Sequence, residues 1–467
     1  MSACLALPSS PYARREPERT VLYAVVRDHL NTFLATNDPP RHVRRALRGF
    51  VDCGVLAKGF VRVRCPACRE ESLVAFSCKD RTFCPSCTGR RAADTAAHLV
   101  DAVLPHVPMR QWVLALPPDL HARVSRDPAL ESGLLRIFAE ELEGLLRTTT
   151  KAFDRGRGGN VTFLQHFGST LNLHVHFHTL ALDGVYIPGP TDDTPPLFVP
   201  APEPTPDQVR WLCEQAATRA RRLVERRPWS EPAEERITPL FKVVGAPPKE
   251  AEDKRLHARV DGFDLHASTA FAAHRRASVE RFCRYALRGP IANGRLTRGP
   301  RDLLTYHLKA PKQDGTTALA LSPQTLLERL ARLIPAPRLH LTRYFGVLAN
   351  AARWRRQIVP KPRDSSTFPQ LKRSGRWLDW ASLLRRVFLA EVLACACGGT
   401  RRVIAVIEPG PTARKILRHL GLPDTEPELA PARLDQADFW ATGPPAPTAC
   451  DPPWTDDVQR SPPDFAA

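Results

Sequence analysis

The stretch Asn172-Leu173-His174-Val175-His176-Phe177-His178-Thr179-Leu180-Ala181-Leu182 alternates residue by residue between apolar and imidazole side chains in its first half. Successive Cβ atoms of a β-strand point to opposite faces. Val175 and Phe177 therefore share an apolar face, and His174, His176 and His178 share the other. Same-face neighbours lie roughly 6–7 Å apart, and a neutral imidazole is a good donor to divalent metals, so two of the rings reach one ion. Either His176 with His178 or the overlapping pair His174 with His176 satisfies this spacing. Three histidines on an ordinary strand, with no ion, are the competing reading.

The cysteines set the second constraint. Cys65-x-x-Cys68 and Cys84-x-x-Cys87 are separated by fifteen residues, the spacing of two knuckles that close four thiolates around a tetrahedral Zn²⁺. Pro66 and Pro85 follow the first cysteine of each pair, and Cys53 and Cys78 are left as buried thiols or alternative ligands. A redox pair or unligated core cysteines are the alternatives. A four-sulfur site has no open position, so its expected role is folding and DNA docking. Cys395 and Cys397 are only one residue apart with no partner pair nearby, which argues against a second zinc.

Composition narrows the partners. The 467-residue chain has a net charge of +18. From Gly421 onward nine Asp/Glu face two Arg, so residues 1–420 carry +25. A basic body of this kind favours a polyanion through counterion release. No apolar run is long enough to span a bilayer, and the N-terminal residues lack a signal-peptide pattern. A protein of the cytoplasm, of two or three domains, is expected, and its high Arg, Ala and Pro content points to a bacterial host.

In chain order, helical patterns over Arg19–Phe33 and Arg41–Val51 precede the cysteines. A helix over Ala92–Leu104, a strand over Arg110–Leu116 and a long helix over Pro128–Phe153 follow. The strands Val161–His166 and Leu171–Leu182 are close in sequence, so an antiparallel pair is expected. Gln165 would then face the histidines as a third ligand, in competition with Asp183. Residues 187–264, which include a Pro-rich stretch and a basic helix, read as an insertion. Over Ser268–Leu287, Val279, Phe282, Cys283 and Ala286 make an apolar stripe with Tyr285 at its edge beside Arg281, Arg284 and Arg288. Such a tyrosine is either held by the core to meet a phosphate or merely snorkels its hydroxyl to water.

His176-Phe177-His178 resembles the histidine pair of the HUH endonucleases, which hold Mg²⁺ or Mn²⁺ with two histidines and attack DNA with a tyrosine. The run Phe282-Cys283-Arg284-Tyr285-Ala286-Leu287-Arg288-Gly289-Pro290-Ile291-Ala292 resembles the nucleophile region of one branch, the IS ninety-one family of transposases. So do Tyr306-His307-Leu308-Lys309, Asp314-Gly315-Thr316-Thr317 and His340-Leu341-Thr342-Arg343-Tyr344. The segment Phe76-Ser77-Cys78-Lys79-Asp80-Arg81-Thr82-Phe83-Cys84-Pro85-Ser86-Cys87 is similar to that family's zinc-binding domain. Founding members carry two tyrosines one helical turn apart. Here Arg281 stands four before Tyr285, so the likeness is to the single-tyrosine branch.

The resemblance implies an α+β fold: an antiparallel-sheet nuclease core of HUH type with packed helices, preceded by a small helical and zinc-knuckle domain. The expected division is an N-terminal arm 1–52, a four-cysteine zinc module 53–91 and a core 92–350 with its insertion. A basic, aromatic linker 351–378, a small α/β segment 379–422 and a disordered acidic tail 423–467 follow. The implied activity is nicking and rejoining of single-stranded DNA ends of the element through a 5′-phosphotyrosine on Tyr285. His176, His178, His174 and Gln165 would hold catalytic Mg²⁺ or Mn²⁺; Cys65, Cys68, Cys84 and Cys87 would hold structural Zn²⁺. Arg281, Arg284, Arg288 and Lys309 would contact DNA. A replication initiator or relaxase of the same chemistry, and a non-catalytic zinc-containing DNA-binding protein, are the alternatives.

Overall fold

The histidine strand, Leu173–Leu182, lies inside a seven-stranded sheet in the order His257–Val260, Phe263–His266, Met109–Ala115, Leu173–Leu182, Gly159–Phe167, Thr342–Gly346; Ala270–Phe271 also pairs with Met109–Ala115. Every pairing in it is antiparallel. This computed structural model describes residues 16–80, 82–191, 194–229, 240–247, 255–360 and 395–433, with the short parallel strand pair Ser10–Pro11 and Ala390–Glu391.

The alternation of the histidine strand decides what covers each side of the sheet. Val175, Phe177 and Ala181 pack with Trp112, Leu114 and Leu164 against the helices Pro128–Thr149 and Pro206–Glu225. On the histidine side, Phe163, Leu180 and Leu182 pack against Pro85–Ala102 and Arg276–Ala286. The sheet is thus a central layer between two helical layers.

The long helix begins where Asp127 accepts from the Ala129 and Leu130 amides, with Pro128 in the first turn. Pro206–Glu225 begins with a capping box between Thr205 and Gln208. Both starts are of the kinds that satisfy orphan amides.

Besides the short pairs Gly184–Ile187 with Leu197–Pro200 and Ser10–Pro11 with Ala390–Glu391, two smaller sheets are present among the described residues. Leu296–Arg298, Leu304–His307, Thr316–Leu321 and Phe241–Val244 form an antiparallel sheet beside the helices Val21–Thr36, Arg41–Asp52 and Pro323–Arg332. Its hairpin of Leu304–His307 and Thr316–Leu321 turns through Gly315, whose φ of +78° favours glycine. Arg402–Ile407, Phe60–Arg64 and Glu71–Ala75 form the other.

The fold is α+β with antiparallel sheets, as expected. Within the expected insertion 187–264, the helix Pro206–Glu225 and the start of the strand Phe263–His266 belong to the main core instead. Val209, Leu212, Cys213, Ala216, Ala217 and Ala220 of the basic helix are buried in the main core, and Phe263–His266 pairs with Met109–Ala115. An Arg-rich solvent face concealed a helix with an Ala-rich inner face. The tyrosine helix starts at Arg276 instead of Ser268, because Ala270–Phe271 extends onto the sheet edge first. Most of the expected linker, 361–378, and of the tail, 434–467, lies outside the described residues. Among the described residues no helix is long and apolar enough to cross a membrane.

Candidate active site

Four imidazoles form a row on the covered face of the main sheet. The centroids of His121 and His174, of His174 and His176, and of His176 and His178 are each 5.0 Å apart. His176 Nδ1 donates to the His174 carbonyl at 3.0 Å, which fixes its tautomer and leaves the Nε2 lone pair for a metal. Gln111 Nε2 donates to His178 Nδ1 at 3.1 Å, so the neutral His178 ring carries its proton on Nε2 here, and ligation through Nε2 requires the Gln111 amide to turn its oxygen to the ring.

Burial pushes the His176 imidazole down to about 4, with His174 and Arg288 acting in the same direction. Burial, then His176 and Arg288, holds His178 well below its ordinary value. Both rings are therefore neutral near pH 7, the form that ligates metals. Neutral imidazoles are donors of the kind divalent ions take.

Gln165 sits directly across the strand pair from His176, on the same face. Its Nε2 donates to the Ala286 carbonyl at 2.7 Å, tying the histidine strand's neighbour to the C-terminal turn of the tyrosine helix. The strand register shifts between Gln165 and Phe167, a bulge of the kind that re-aims side chains beside sites. Asp183 does not join the row; it pairs with the buried Arg110 at 3.1 Å.

Tyr285 packs its ring edge-on to His178, with centroids 6.0 Å apart. The Arg288 guanidinium lies 4.5 Å from the Tyr285 ring, and its Nη2 is 3.4 Å from the hydroxyl. Lys309 Nζ lies 5.9 Å from the same ring. Arg288 Nε is buried with no hydrogen-bond partner, a donor that a phosphate oxygen would satisfy. A cavity of about 280 Å³ beside it is lined by Arg288, Arg91, Thr82, His340 and Tyr344, among others. Arg281 instead donates to Ser278 on its own helix at 2.9 Å, and Arg284 is half-buried on that helix.

Tyr306 and Tyr344 lie on strands. Burial raises the Tyr306 hydroxyl above its ordinary value, and that hydroxyl donates to the Pro290 carbonyl at 3.5 Å.

Eight of the ten described cysteines gather into two groups, each with its sulfurs within 4.8 Å of one another: Cys53, Cys78, Cys84, Cys87, and Cys65, Cys68, Cys395, Cys397. In the first, Cys53 and Cys87 are 3.6 Å apart, Cys78 and Cys87 3.4 Å, and Cys84 and Cys53 3.7 Å. A tetrahedral zinc with sulfurs at about 2.3 Å needs sulfur–sulfur edges of about 3.8 Å. Asp80 fixes this knuckle by accepting from the amides of Thr82, Phe83 and Cys84.

A family model described as "Transposase zinc-binding domain" matches residues 25–116, and one described as "Putative transposase" matches residues 159–356. The chain belongs to the IS ninety-one family of transposases. No curated protein and no solved structure gives a significant match. The zinc-domain match contains all of the first cysteine group and only half of the second. The transposase match contains the histidine row from His174 to His178, Gln165, Tyr285, Arg288 and Lys309. As a transposase the protein acts on DNA, and its zinc-binding domain carries structural zinc.

The expected zinc grouping is corrected. Cys84 and Cys87 join Cys53 and Cys78, not Cys65 and Cys68. The strands Phe60–Arg64 and Glu71–Ala75 form a hairpin whose turn carries Cys65 and Cys68 away from the start of the helix Pro85–Ala102, where Cys84 and Cys87 sit. Cys395 and Cys397 do have a partner pair, across the fold. Sequence spacing could not show either, but Cys53-Gly54 and Cys78-Lys79 held a signal. Gly54 and Lys79 both adopt positive φ, and a residue after a ligand often turns this way to close a knuckle. Gln111 and His121 were also missed. Gln111, a polar residue inside an apolar strand, was the legible one of the two.

Proposed function

We propose that this transposase nicks and rejoins single-stranded DNA through a covalent 5′-phosphotyrosine on Tyr285, with a divalent ion held by His176 and His178. The observation that supports it most directly is the Tyr285 ring packed against His178 beneath Arg288. Mg²⁺ or Mn²⁺, when bound, would polarise the scissile phosphate and orient it.

The chain's own residues do the rest. The Tyr285 hydroxyl, which accepts from Arg288 Nη2 at 3.4 Å, gives up its proton as it attacks. The Tyr285 oxygen bonds to phosphorus as the bond to the 3′ oxygen breaks. The departing 3′ oxygen takes up a proton, and the reverse step rejoins the strand without another energy source. Arg288 and Lys309 offset charge on the phosphate, and Gln165 positions the tyrosine helix against the sheet. One phosphate held in this pose requires a single or melted strand.

Two further features support one nucleophile rather than two. Arg281 occupies the position one turn before Tyr285, and Tyr306 is buried against Pro290.

The test is a denaturing gel with labelled single-stranded DNA from the element's ends in Mn²⁺. A labelled band at the protein's mobility is expected for wild type and for neither Tyr285→Phe nor His176→Ala/His178→Ala. DNA binding by wild type with no band in any divalent metal would leave a non-catalytic zinc-containing DNA-binding protein.

A further inference from the structure

The second cysteine group joins segments far apart in sequence. Cys65 and Cys68 sit at the turn of the hairpin Phe60–Arg64 and Glu71–Ala75, and Cys395 and Cys397 precede the strand Arg402–Ile407. Cys65 Sγ is 3.6 Å from Cys397 Sγ, and Cys68 Sγ is 3.4 Å from Cys395 Sγ. These separations are far beyond a disulfide bond of about 2.05 Å and close to the edge of a zinc tetrahedron.

We propose that Cys65, Cys68, Cys395 and Cys397 hold a second structural zinc ion, which clamps the C-terminal segment onto the N-terminal zinc module.

Three features of the backbone carry the proposal. First, both halves are closed loops. The Cys65 amide donates to the Glu70 carbonyl at 2.8 Å and Arg69 to Cys65 at 2.9 Å; Cys395 donates to Gly399 and Gly398 to Cys395, each at 2.9 Å. Second, the residue after a cysteine turns left-handed in both halves: Arg69 has φ +63° and Gly398 φ +83°. The same turn follows Cys53 and Cys78 in the group that the zinc-domain match contains, at Gly54 (φ +87°) and Lys79 (φ +55°). A non-glycine residue rarely adopts this conformation, so Arg69 and Lys79 mark built turns. Third, Gly399 packs on the sulfurs. A Cβ there would lie 2.9 Å from Cys65 Sγ and 3.3 Å from Cys397 Sγ.

The charges nearby suit the ion. Four thiolates on a divalent ion leave a net negative site, and the Arg401 guanidinium stands beside it, bonded to Glu70 at 2.9 Å. The other Glu70 oxygen accepts from Cys395 Sγ at 3.1 Å.

The clamp explains the third sheet. Arg402–Ile407 pairs with Phe60–Arg64, and Ala413 and Leu417 of the helix Pro411–His419 bury against Leu56, Phe60 and Leu73. This core is small, and a cluster of few apolar residues needs a metal or cross-link to hold. The two sites also differ in access. Cys68 and Cys397 are exposed, whereas Cys53, Cys84 and Cys87 are buried.

The test counts zinc per chain in the full-length protein purified under reducing conditions. Wild type should hold two equivalents. Cys395→Ser/Cys397→Ser, Cys65→Ser/Cys68→Ser and the combined quadruple variant should each hold one, because all four residues serve one ion. Gly399→Val, which removes no thiol, should also lose one equivalent. Amide exchange of Val403–Ile407 should rise sharply in these variants while that of Leu173–Leu182 stays unchanged.

A cadmium-substituted wild type needs no variant to fold and should give two all-sulfur ¹¹³Cd resonances. One equivalent of metal in wild type, one such resonance, disulfides in place of thiols, or two equivalents retained in Cys395→Ser/Cys397→Ser would overturn the second site. Unchanged exchange of Val403–Ile407 would overturn the clamp.

Discussion

The histidine row proposed to hold a catalytic ion and the buried cysteine group of the zinc-binding domain are built in opposite ways. The cysteines come from short loops and the start of one helix, and four soft ligands enclose the ion. Three of the four imidazoles, those of His174, His176 and His178, come from a single strand in the middle of a sheet. Strand geometry holds their rings 5.0 Å apart without any ion, and the row leaves coordination positions open. A closed thiolate set contributes folding energy, whereas an open imidazole set on a rigid element is fit for chemistry. Loss of each should therefore separate stability from activity.

The largest effect is expected at Tyr285. Tyr285→Phe should lower nicking by at least about 10³-fold, as loss of a nucleophile does, while DNA affinity and melting temperature stay near wild type. Cys84→Ser should do the reverse, lowering stability by several kcal/mol; thermal unfolding with and without a chelator checks it. If Cys84→Ser left stability intact, the contrast between closed and open sites would fail.

His176→Ala should lower activity by more than the roughly 100-fold that an outer-shell partner is worth, with little loss of stability. Gln165→Leu should cost about 10- to 100-fold in activity, read as kcat with DNA affinity retained. A melting shift equal to that of Cys84→Ser in either variant would mean that the row is a structural site.

The smallest effect is on pH dependence. The folded His176 ionises near 4 and an unfolded histidine near 6.5. Between those values the unfolded chain binds more protons, so stability rises with pH through this window and is fully present above it. Protonating His176 lowers stability by on the order of 3 kcal/mol relative to its neutral form. Burial lowers His121 and His29 in the same direction. Chelated wild type should lose stability on acidification from pH 6.5 to 4, and His176→Ala should lose less.

The parts legible in sequence are those set by local periodicity. The period-two histidines gave the strand and its two faces. The apolar stripe of Val279, Phe282, Cys283 and Ala286 gave the tyrosine helix, and Gln165 fell opposite His176 because a short connection leaves few registers. What was not legible depends on long-range closure. The pairing of Cys65 and Cys68 with Cys395 and Cys397 joins residues more than three hundred positions apart, and no spacing rule reaches that far. The helix Pro206–Glu225 read as surface because its charges outnumber its large apolar residues, yet alanines allow close approach to the long helix Pro128–Thr149. Arg288 surpassed Arg281 and Arg284 at the tyrosine for a geometric reason: it lies just beyond the helix end, where the chain turns back over the ring.

The most direct test is to identify the residue that bears DNA after cleavage. Wild-type protein would be trapped on a short single-stranded substrate, digested with trypsin and nuclease, and analysed by tandem mass spectrometry. The account predicts a nucleotide phosphate on the peptide Tyr285-Ala286-Leu287-Arg288, with Tyr285 as the modified residue. A nucleotide on a peptide containing Tyr306 or Tyr344 instead would contradict it.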